Sequence, residues 1–443
     1  MDEEPVNAAA RKRLLRTSTH WGAYDVEVDN GRIVALHPFP MDPDPSPLGR
    51  SIPGAVDGPA RIRRPMVRKG WLDNGPRANV TGRGDDVFVA VGWDQALDLV
   101  ATELRRIRDR FGNESIFGGS YGWSSAGKFH YAQGQLHRFL NGFGGYASHV
   151  NTYSLAAGEV ILPRVLGMSI YDLRDEMTTW PMIAEHCQLM IMFGGVPDKN
   201  GQVVAGGSAE HTNRVWLRRC KEQGVRFINI SPLRDDASED LEAEWWPIRP
   251  NTDVAFMMGL AHTLISDDLC DRDFLATHCV GYEQFRTYLF GETDGQAKTA
   301  DWAAQITGIE AESIWQLARE IASSRTLINA SWSLQRADHG EQAFWMAITL
   351  AAVVGQIGLP GGGFGLGYGS LNRLGDPTRL VRGPSLPQGT NPVKTVVPVA
   401  RISDMLLQPG TTIDYNGGRV TFPDIRLIYW AGGNPFHHQQ DTN

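Results

Sequence analysis

The chain has 443 residues, 42% hydrophobic and 21% charged, with 49 glycines and 25 prolines, a globular balance that excludes a disordered or fibrous protein and allows two or three domains of about 100 to 200 residues. A formal net charge of −8 provides no basic footprint for nucleic acid or an anionic membrane surface. No apolar run approaches the roughly 18 residues of a transmembrane helix, so a small-molecule partner is expected.

The opening MDEEPVNAAARKRLLRTSTHWG lacks the apolar stretch of a secretory signal. Cys187, Cys220, Cys270 and Cys279 are widely spaced, with no CxxC pair, which argues against zinc or an iron-sulfur cluster and for buried, reduced thiols. A cytoplasmic location is expected, or a periplasmic one if an export signal is missing from this chain.

In chain order, residues 24 to 39 alternate apolar and polar positions around Asp29-Asn30-Gly31, which predicts a hairpin with a tight turn in a small β-rich unit. Residues 41 to 54 are too rich in proline for a helix or a central strand and predict a surface connection. From Asp94 to Arg110, Ala96, Leu97, Leu99, Val100, Leu104 and Ile107 fall at helical spacing, and the short apolar run SIFGG follows. The alternation recurs in LMIMFGG (189 to 195), a helix over 214 to 224 and VRFINI (225 to 230). It continues in helices over Val254 to Leu264 and Ile309 to Ala322, with TLINASW (326 to 332) and IRLIYWAGG (425 to 433) as strands. Strands of continuous apolar character imply sheets covered on both faces. The expected fold is α/β with doubly wound, mainly parallel sheets and a small N-terminal β-rich domain.

In such sheets ligands sit outside the carboxyl ends of the strands. The segments there are SYGWSSAG, VPDKN, SPLRD, SWSLQR and AGGNPFHHQQD. Each combines small residues with polar or aromatic ones, so together they suit a large, polyanionic, partly aromatic ligand. Ordinary turn chemistry explains any one of them alone. The stretch GLPGGGFGLGYG (358 to 369) contains GxGxxG-like spacing, but a helical run precedes it and a glycine- and proline-rich loop follows, which argues against a nicotinamide site.

Read as whole segments, these strand ends resemble the molybdopterin oxidoreductases, specifically the dimethyl sulfoxide, trimethylamine N-oxide and biotin sulfoxide reductases. The resemblance runs from THWG at Thr19 through PMVRKGWL, SYGWSSAG, NTYSLAAGEVILPRVLG, NTDVAFMMGLAHTL, GETDGQAKTADWAAQI and HGEQAFWMAITLAAVVGQIGLPGGGFGL to WAGGNPFHHQQDTN. It implies a bis(molybdopterin guanine dinucleotide) molybdenum cofactor with one protein ligand, a serine at the position of Ser154. A serine oxygen is a hard anionic donor suited to a high-valent metal; a helix N-cap is the alternative role for Ser154. Tyr121 and Trp123 match the aromatic pair beside the metal, able to donate hydrogen bonds to the oxide oxygen. Without the resemblance, buried core aromatics would be the plainer account of both.

For the cofactor arms the resemblance points to Trp123, Lys199, Asn200, Ile230, Ser231, Asn251, Thr252 and Asp253, then to Trp332, Ser333, Arg336, Asn434 and His438. A carboxylate such as Asp253 can accept from the two guanine N–H groups, and Arg336 suits a pyrophosphate; the alternative for Asp253 is an N-cap to the helix from Val254. Adjacent histidines seldom both ligate one metal, so His437 and His438 do not suggest a metal site. Where many relatives carry a cysteine-rich cluster segment this chain reads THWG, so no iron-sulfur cluster is expected and electrons come from an external donor protein or reductase.

The chain departs from the family pattern at Asn200, where relatives commonly have threonine, and in stopping within the HHQQD motif, which implies a fragment of a longer protein. The expected domains are residues 1–60 (β-rich), 61–190 (α/β, carrying the metal ligand), 191–370 (α/β, dinucleotide-binding) and 371–443 (a truncated return to the first α/β unit). The expected activity is a reductase transferring oxygen from an S-oxide or N-oxide to the metal and then to water. A same-fold hydroxylase or dehydrogenase, and a non-catalytic cofactor-binding fragment, are the alternatives.

Overall fold

A computed structural model describes residues 13–77, 84–119, 131–377 and 385–434. Three antiparallel strands open it, β1 (Arg13–Thr19), β2 (Gly22–Asp29) and β3 (Arg32–Pro38). Asn30 and Gly31 turn the hairpin with φ of 50° and 77°, two left-handed positions that match the twist of the flanking strands. Residues 41 to 54 are not only connection. A 3-10 turn covers Pro47–Ser51 and a short helix covers Ile52–Asp57; Pro53 sits in that helix's first turn, where its missing N–H costs nothing. Strands β4 (Met66–Arg68) and β5 (Phe88–Ala90) pair antiparallel.

The helix Trp93–Phe111 leads to β6 (Ile116–Gly119), and the helix Ala132–Phe143 leads to β7 (Ser148–Val150). Then come β8 (Leu189–Phe193), β9 (Arg226–Ile230), β10 (Glu244–Trp246), β11 (Thr326–Ala330) and β12 (Gly363–Leu366), joined in one parallel sheet of order β10-β9-β8-β11-β12. Every residue of β8 and β11 is buried, because helices cover both faces, as their mainly apolar sequences lead one to expect. Around them one core runs from Leu155 to Leu374, with Phe193, Trp246 and Phe256 in edge contact. β12 lies inside the glycine-rich stretch that reads as loop.

The chain then returns through β13 (Val396–Pro398), the hairpin β14 (Thr412–Tyr415) and β15 (Gly418–Thr421), and β16 (Leu427–Trp430). β16 pairs in parallel with β6, and β13 with β7. A bridge from Phe117 to Ala147 joins the two pairs, so a second parallel sheet is built from segments some 250 to 310 residues apart. Phe117, Ala147, Val397 and Phe422 fill one of its cores, and Ile107, Ile116 and Leu140 the other. Cys187 and Cys220 are buried, and burial pushes each thiol up to about 12; Cys270 and Cys279 are only half-buried, and all four are free.

Candidate cofactor site

From β8 the chain steps outward to β9 and β10, then crosses back to lay down β11 and β12 on the other side of β8. The direction reverses between β8 and β11, and at such a switch point the crevice outside the carboxyl ends of the two strands is the favoured ligand position. Gly194 and Gly195 leave β8 with φ of 73° and 75°. A Cβ on Gly194 would lie 2.9 Å from Ser331 Cβ, and one on Gly195 would lie 2.1 Å from the Asp236 carbonyl oxygen, so only glycine fits this turn. Backbone bonding extends past the strands, with Gly194 N donating to Ile230 O (2.9 Å) and Ser331 N to Phe193 O (2.8 Å).

Two buried asparagines flank Met192 in register, Asn229 on β9 and Asn329 on β11. Asn229 Nδ2 donates to Leu233 O and Arg234 O, and Asn329 Oδ1 accepts from Tyr368 N. They fasten the strand-end loops, and neither stands out in sequence. Asn229 Oδ1 and Asn329 Nδ2 are buried without a hydrogen-bond partner among the described residues.

The predicted residues occupy these ends as follows. Lys199 and Asn200 are exposed on the helical turn Asp198–Gly201 after β8. Packed against that turn is Asn213, whose amide atoms, like Asp198 Oδ1, are buried and unpartnered among the described residues. Ile230 closes β9, and Ser231 is fully buried, its hydroxyl donating to Asp236 Oδ2 (2.6 Å) and accepting from Leu233 N (3.2 Å). Asn251 is exposed with φ of 63°, and Thr252 donates to Arg249 O.

Asp253 is the first residue of the helix Asp253–Ser266, with Thr252 in the cap position, so the cap role falls one residue earlier than the sequence alternative placed it. The Asp253 carboxyl is buried, its Oδ1 has no partner among the described residues, and burial pushes it up to about 6. Trp332 is buried, with Nε1 donating to Leu366 O (3.2 Å) and its ring filling the place of a side chain at Gly367. Ser333 donates to Ser331 Oγ (3.1 Å), and the exposed Arg336 donates from Nε to Tyr153 O (3.1 Å).

This last contact brings the Ser154 segment to the crevice. After β7, Asn151 turns the chain with φ of 71°. Ser154 is half-buried, and its backbone N–H donates to Thr152 Oγ1 (3.1 Å). The helix Ala156–Val165 has Leu155 in its cap position and no side-chain cap bond, so Ser154 is not that helix's cap. Instead Gln335 bridges the turn, Nε2 donating to Tyr153 O and Oε1 accepting from Ala157 N, both at 2.9 Å. Sequence reasoning singled out SWSLQR but passed over this buried glutamine. The Tyr153 hydroxyl donates to Val399 O (2.6 Å), tying the same turn to the other sheet.

Tyr121 and Trp123 fall within residues 120–130, and His438 within 435–443, all outside the described residues. Asn434 is exposed beyond β16. Among the described residues, no three His, Cys, Asp or Glu side chains gather as metal ligands, and no helix is long and apolar enough to cross a membrane. An apolar groove of about 940 Å³ lies between the helical segments 272–289 and 341–353, and none of the predicted site residues lines it.

Glycines at the switch point, buried amide atoms without partners among the described residues and a buried carboxyl after β10 gather at one end of a doubly wound sheet, the end where such sheets bind ligands. Comparison with known proteins gives the family. Residues 61–443 match the family model described as Molybdopterin oxidoreductase, and residues 17–57 match its N-terminal domain. The chain is 50% identical over 413 residues to a biotin sulfoxide reductase of Cereibacter sphaeroides, covering 93% of this chain and 55% of that protein. It is 42% identical to a dimethyl sulfoxide/trimethylamine N-oxide reductase of Rhodobacter capsulatus (97% and 53% covered) and 41% identical to a trimethylamine-N-oxide reductase of Haemophilus influenzae (100% and 55%). Among solved structures, acetylene hydratase from Pelobacter acetylenicus shares the fold, with a TM-score of 0.51 at 22% identity over 78% of this chain and 44% of that one. The chain belongs to the molybdopterin oxidoreductase family. It spans about half the length of the curated relatives it matches.

Proposed function

We propose that the protein is a molybdenum-dependent reductase of S-oxides or N-oxides, with bis(molybdopterin guanine dinucleotide) as cofactor, no iron-sulfur cluster and an external electron donor. The observation that supports this reading is the fastening of the Ser154 turn to the loop after β11, the end of the sheet where a cofactor is expected. The residues fit the cofactor. Asp253 presents a buried carboxylate oxygen without a partner among the described residues, and the paired N–H donors of guanine would satisfy it. Lys199 stands exposed at the end of β8, where a cation suits a pyrophosphate.

When bound, the cofactor would supply a Lewis-acidic metal able to polarise the S–O or N–O bond and exchange two electrons. The chain's own part is to hold that group. Ser154 would provide the protein ligand, and the family resemblance assigns to the Tyr121 hydroxyl and the Trp123 indole N–H, both able to donate, the hydrogen bonds that would stabilise charge on the substrate oxygen. The names of the relatives, biotin sulfoxide, dimethyl sulfoxide and trimethylamine N-oxide reductase, support the substrate class.

The test uses protein produced in a molybdate-fed host, with molybdenum and acid-released pterin measured beside turnover of biotin sulfoxide with reduced viologen. Wild type should contain both and turn over, and Ser154→Ala should lose turnover. Wild-type rates in Ser154→Ala would remove the ligand role; absence of metal and pterin would remove the whole reading.

A further inference from the structure

We infer that Gln335 is a positioning residue for Ser154: one side-chain amide, delivered from the loop after β11, fixes the turn that aims the serine oxygen. The inference rests on the reading of Ser154 as the metal ligand.

The helix after Ser154 starts badly. Leu155 occupies its cap position and has no side-chain acceptor for the first N–H groups, which helix geometry leaves without intrahelical partners. Gln335 supplies the acceptor from 178 residues away, Oε1 taking the Ala157 N–H at 2.9 Å. Its Nε2 donates to Tyr153 O at 2.9 Å. Ala157 N can only donate and Tyr153 O can only accept, so the amide's orientation is settled by its partners.

The consequence falls on the peptide unit between Tyr153 and Ser154. Its carbonyl oxygen accepts from both Gln335 Nε2 and Arg336 Nε, and its N–H donates to Thr152 Oγ1. Turning that plane, and with it the serine side chain, breaks three hydrogen bonds. Ser154, Leu155 and Ala156 form a short arc whose two ends Gln335 holds at a fixed separation. Gln335 is 7% exposed, so water does not readily replace either bond and the loss of one is expensive.

Few side chains can do this. An ionised glutamate would accept from Ala157 N but set a negative oxygen against the Tyr153 carbonyl; a protonated glutamic acid has the donor and the acceptor of glutamine in nearly the same shape. Leucine removes both bonds at similar volume. A role confined to packing predicts similar behaviour for glutamate at every pH, whereas positioning predicts rescue by acid.

The experiment compares wild type, Gln335→Leu, Gln335→Glu and Ser154→Ala as cofactor-loaded full-length proteins, by X-ray absorption at the molybdenum edge and by steady-state kinetics. Gln335→Leu should keep metal and pterin but lose the serine oxygen scatterer that Ser154→Ala also loses, with kcat down about 10- to 100-fold and KM changed far less. Gln335→Glu should show the same loss at high pH and regain scatterer and kcat as pH falls, while wild type changes little over that range. A wild-type spectrum and kcat in Gln335→Leu overturns the inference, and so does a Gln335→Glu spectrum indifferent to pH, which also decides the matter if the leucine variant does not fold. If Ser154→Ala itself leaves spectrum and turnover unchanged, the ligand reading fails and takes this inference with it. If Ser154→Ala alters them and neither Gln335 variant does, the positioning role alone fails.

Discussion

A buried carboxyl with one oxygen unpartnered among the described residues works against the fold that contains it. The Asp253 carboxyl is pushed from an ordinary 3.8 up to about 6 by burial, so the folded chain holds its proton more tightly than the unfolded chain does. Stability from this group is therefore present below about pH 4 and is lost as pH rises through about 6, a difference of about 3 kcal/mol at neutral pH. Asp253→Asn, measured without nucleotide, should raise the urea midpoint at pH 8 and leave it nearly unchanged at pH 4; parallel pH curves for the two proteins would show the carboxyl is not strained. The same variant should lose the preference for guanosine over inosine monophosphate, because the guanine 2-amino group then has no carboxylate to meet. The family resemblance singled out Asp253 and Ser154, and the capping role weighed as the alternative for each falls elsewhere. Each true cap sits at a neighbour, Thr252 and Leu155, because a cap is defined by backbone angles that a residue pattern fixes only to within a position or two. Gln335 was illegible for another reason: its partners are about 180 residues away.

Strands announce themselves when burial on both faces makes them mainly apolar, which is why β8, β9 and β11 could be read from LMIMF, RFINI and TLINA despite the single asparagine in each of the last two. β12 could not, because GFGL is half glycine. The structure supplies the cause: a Cβ on Gly365 would lie 2.2 Å from the Tyr368 ring, and one on Gly367 would lie 2.1 Å from Trp332 Nε1. Aromatic rings occupy the space of a side chain at these two positions, so glycine here records close packing, joined at Gly367 by a φ of 98°. The distinction is measurable in two glycines with nearly the same φ. Gly31, at 77°, has nothing near its absent Cβ, while Gly195, at 75°, faces the Asp236 carbonyl at 2.1 Å. Gly31→Ala should cost about 1 kcal/mol, the backbone term alone. Gly195→Ala must also move the β9 loop and should cost at least about 3 kcal/mol. Equal losses in urea unfolding would show that the crevice turn yields more easily than its geometry indicates.

Across the whole molecule the two parallel sheets could be anticipated from the helix and strand alternation, but the join between the N-terminal strands and the cofactor-side sheet could not. Asp42 sits in the proline-rich stretch expected to be a surface connection, and His211 in the polar stretch SAEHTN. They are instead buried together, with side chains only 2% and 1% exposed. Asp42 Oδ2 lies 2.6 Å from His211 Nδ1, Asp42 Oδ1 accepts from His211 N (2.8 Å), and His211 Nε2 lies 2.9 Å from Gln202 O. Beside them Val204 N donates to His20 O, and Gly22 leaves room for the imidazole. The chain after the Lys199 turn is thus pinned to the opening sheet by one desolvated pair. Removing one partner from such a pair costs more than removing both, because the survivor stays buried and uncompensated. His211→Ala should lose about 3 to 5 kcal/mol in urea unfolding, and Asp42→Ala together with His211→Ala should lose well under the sum of the two single variants. Limited proteolysis of His211→Ala should also release residues 13–57 faster than from wild type. Strictly additive losses, with no change in cleavage, would mean that the opening sheet is held by its backbone contacts and that the Asp42–His211 contact contributes nothing to the join.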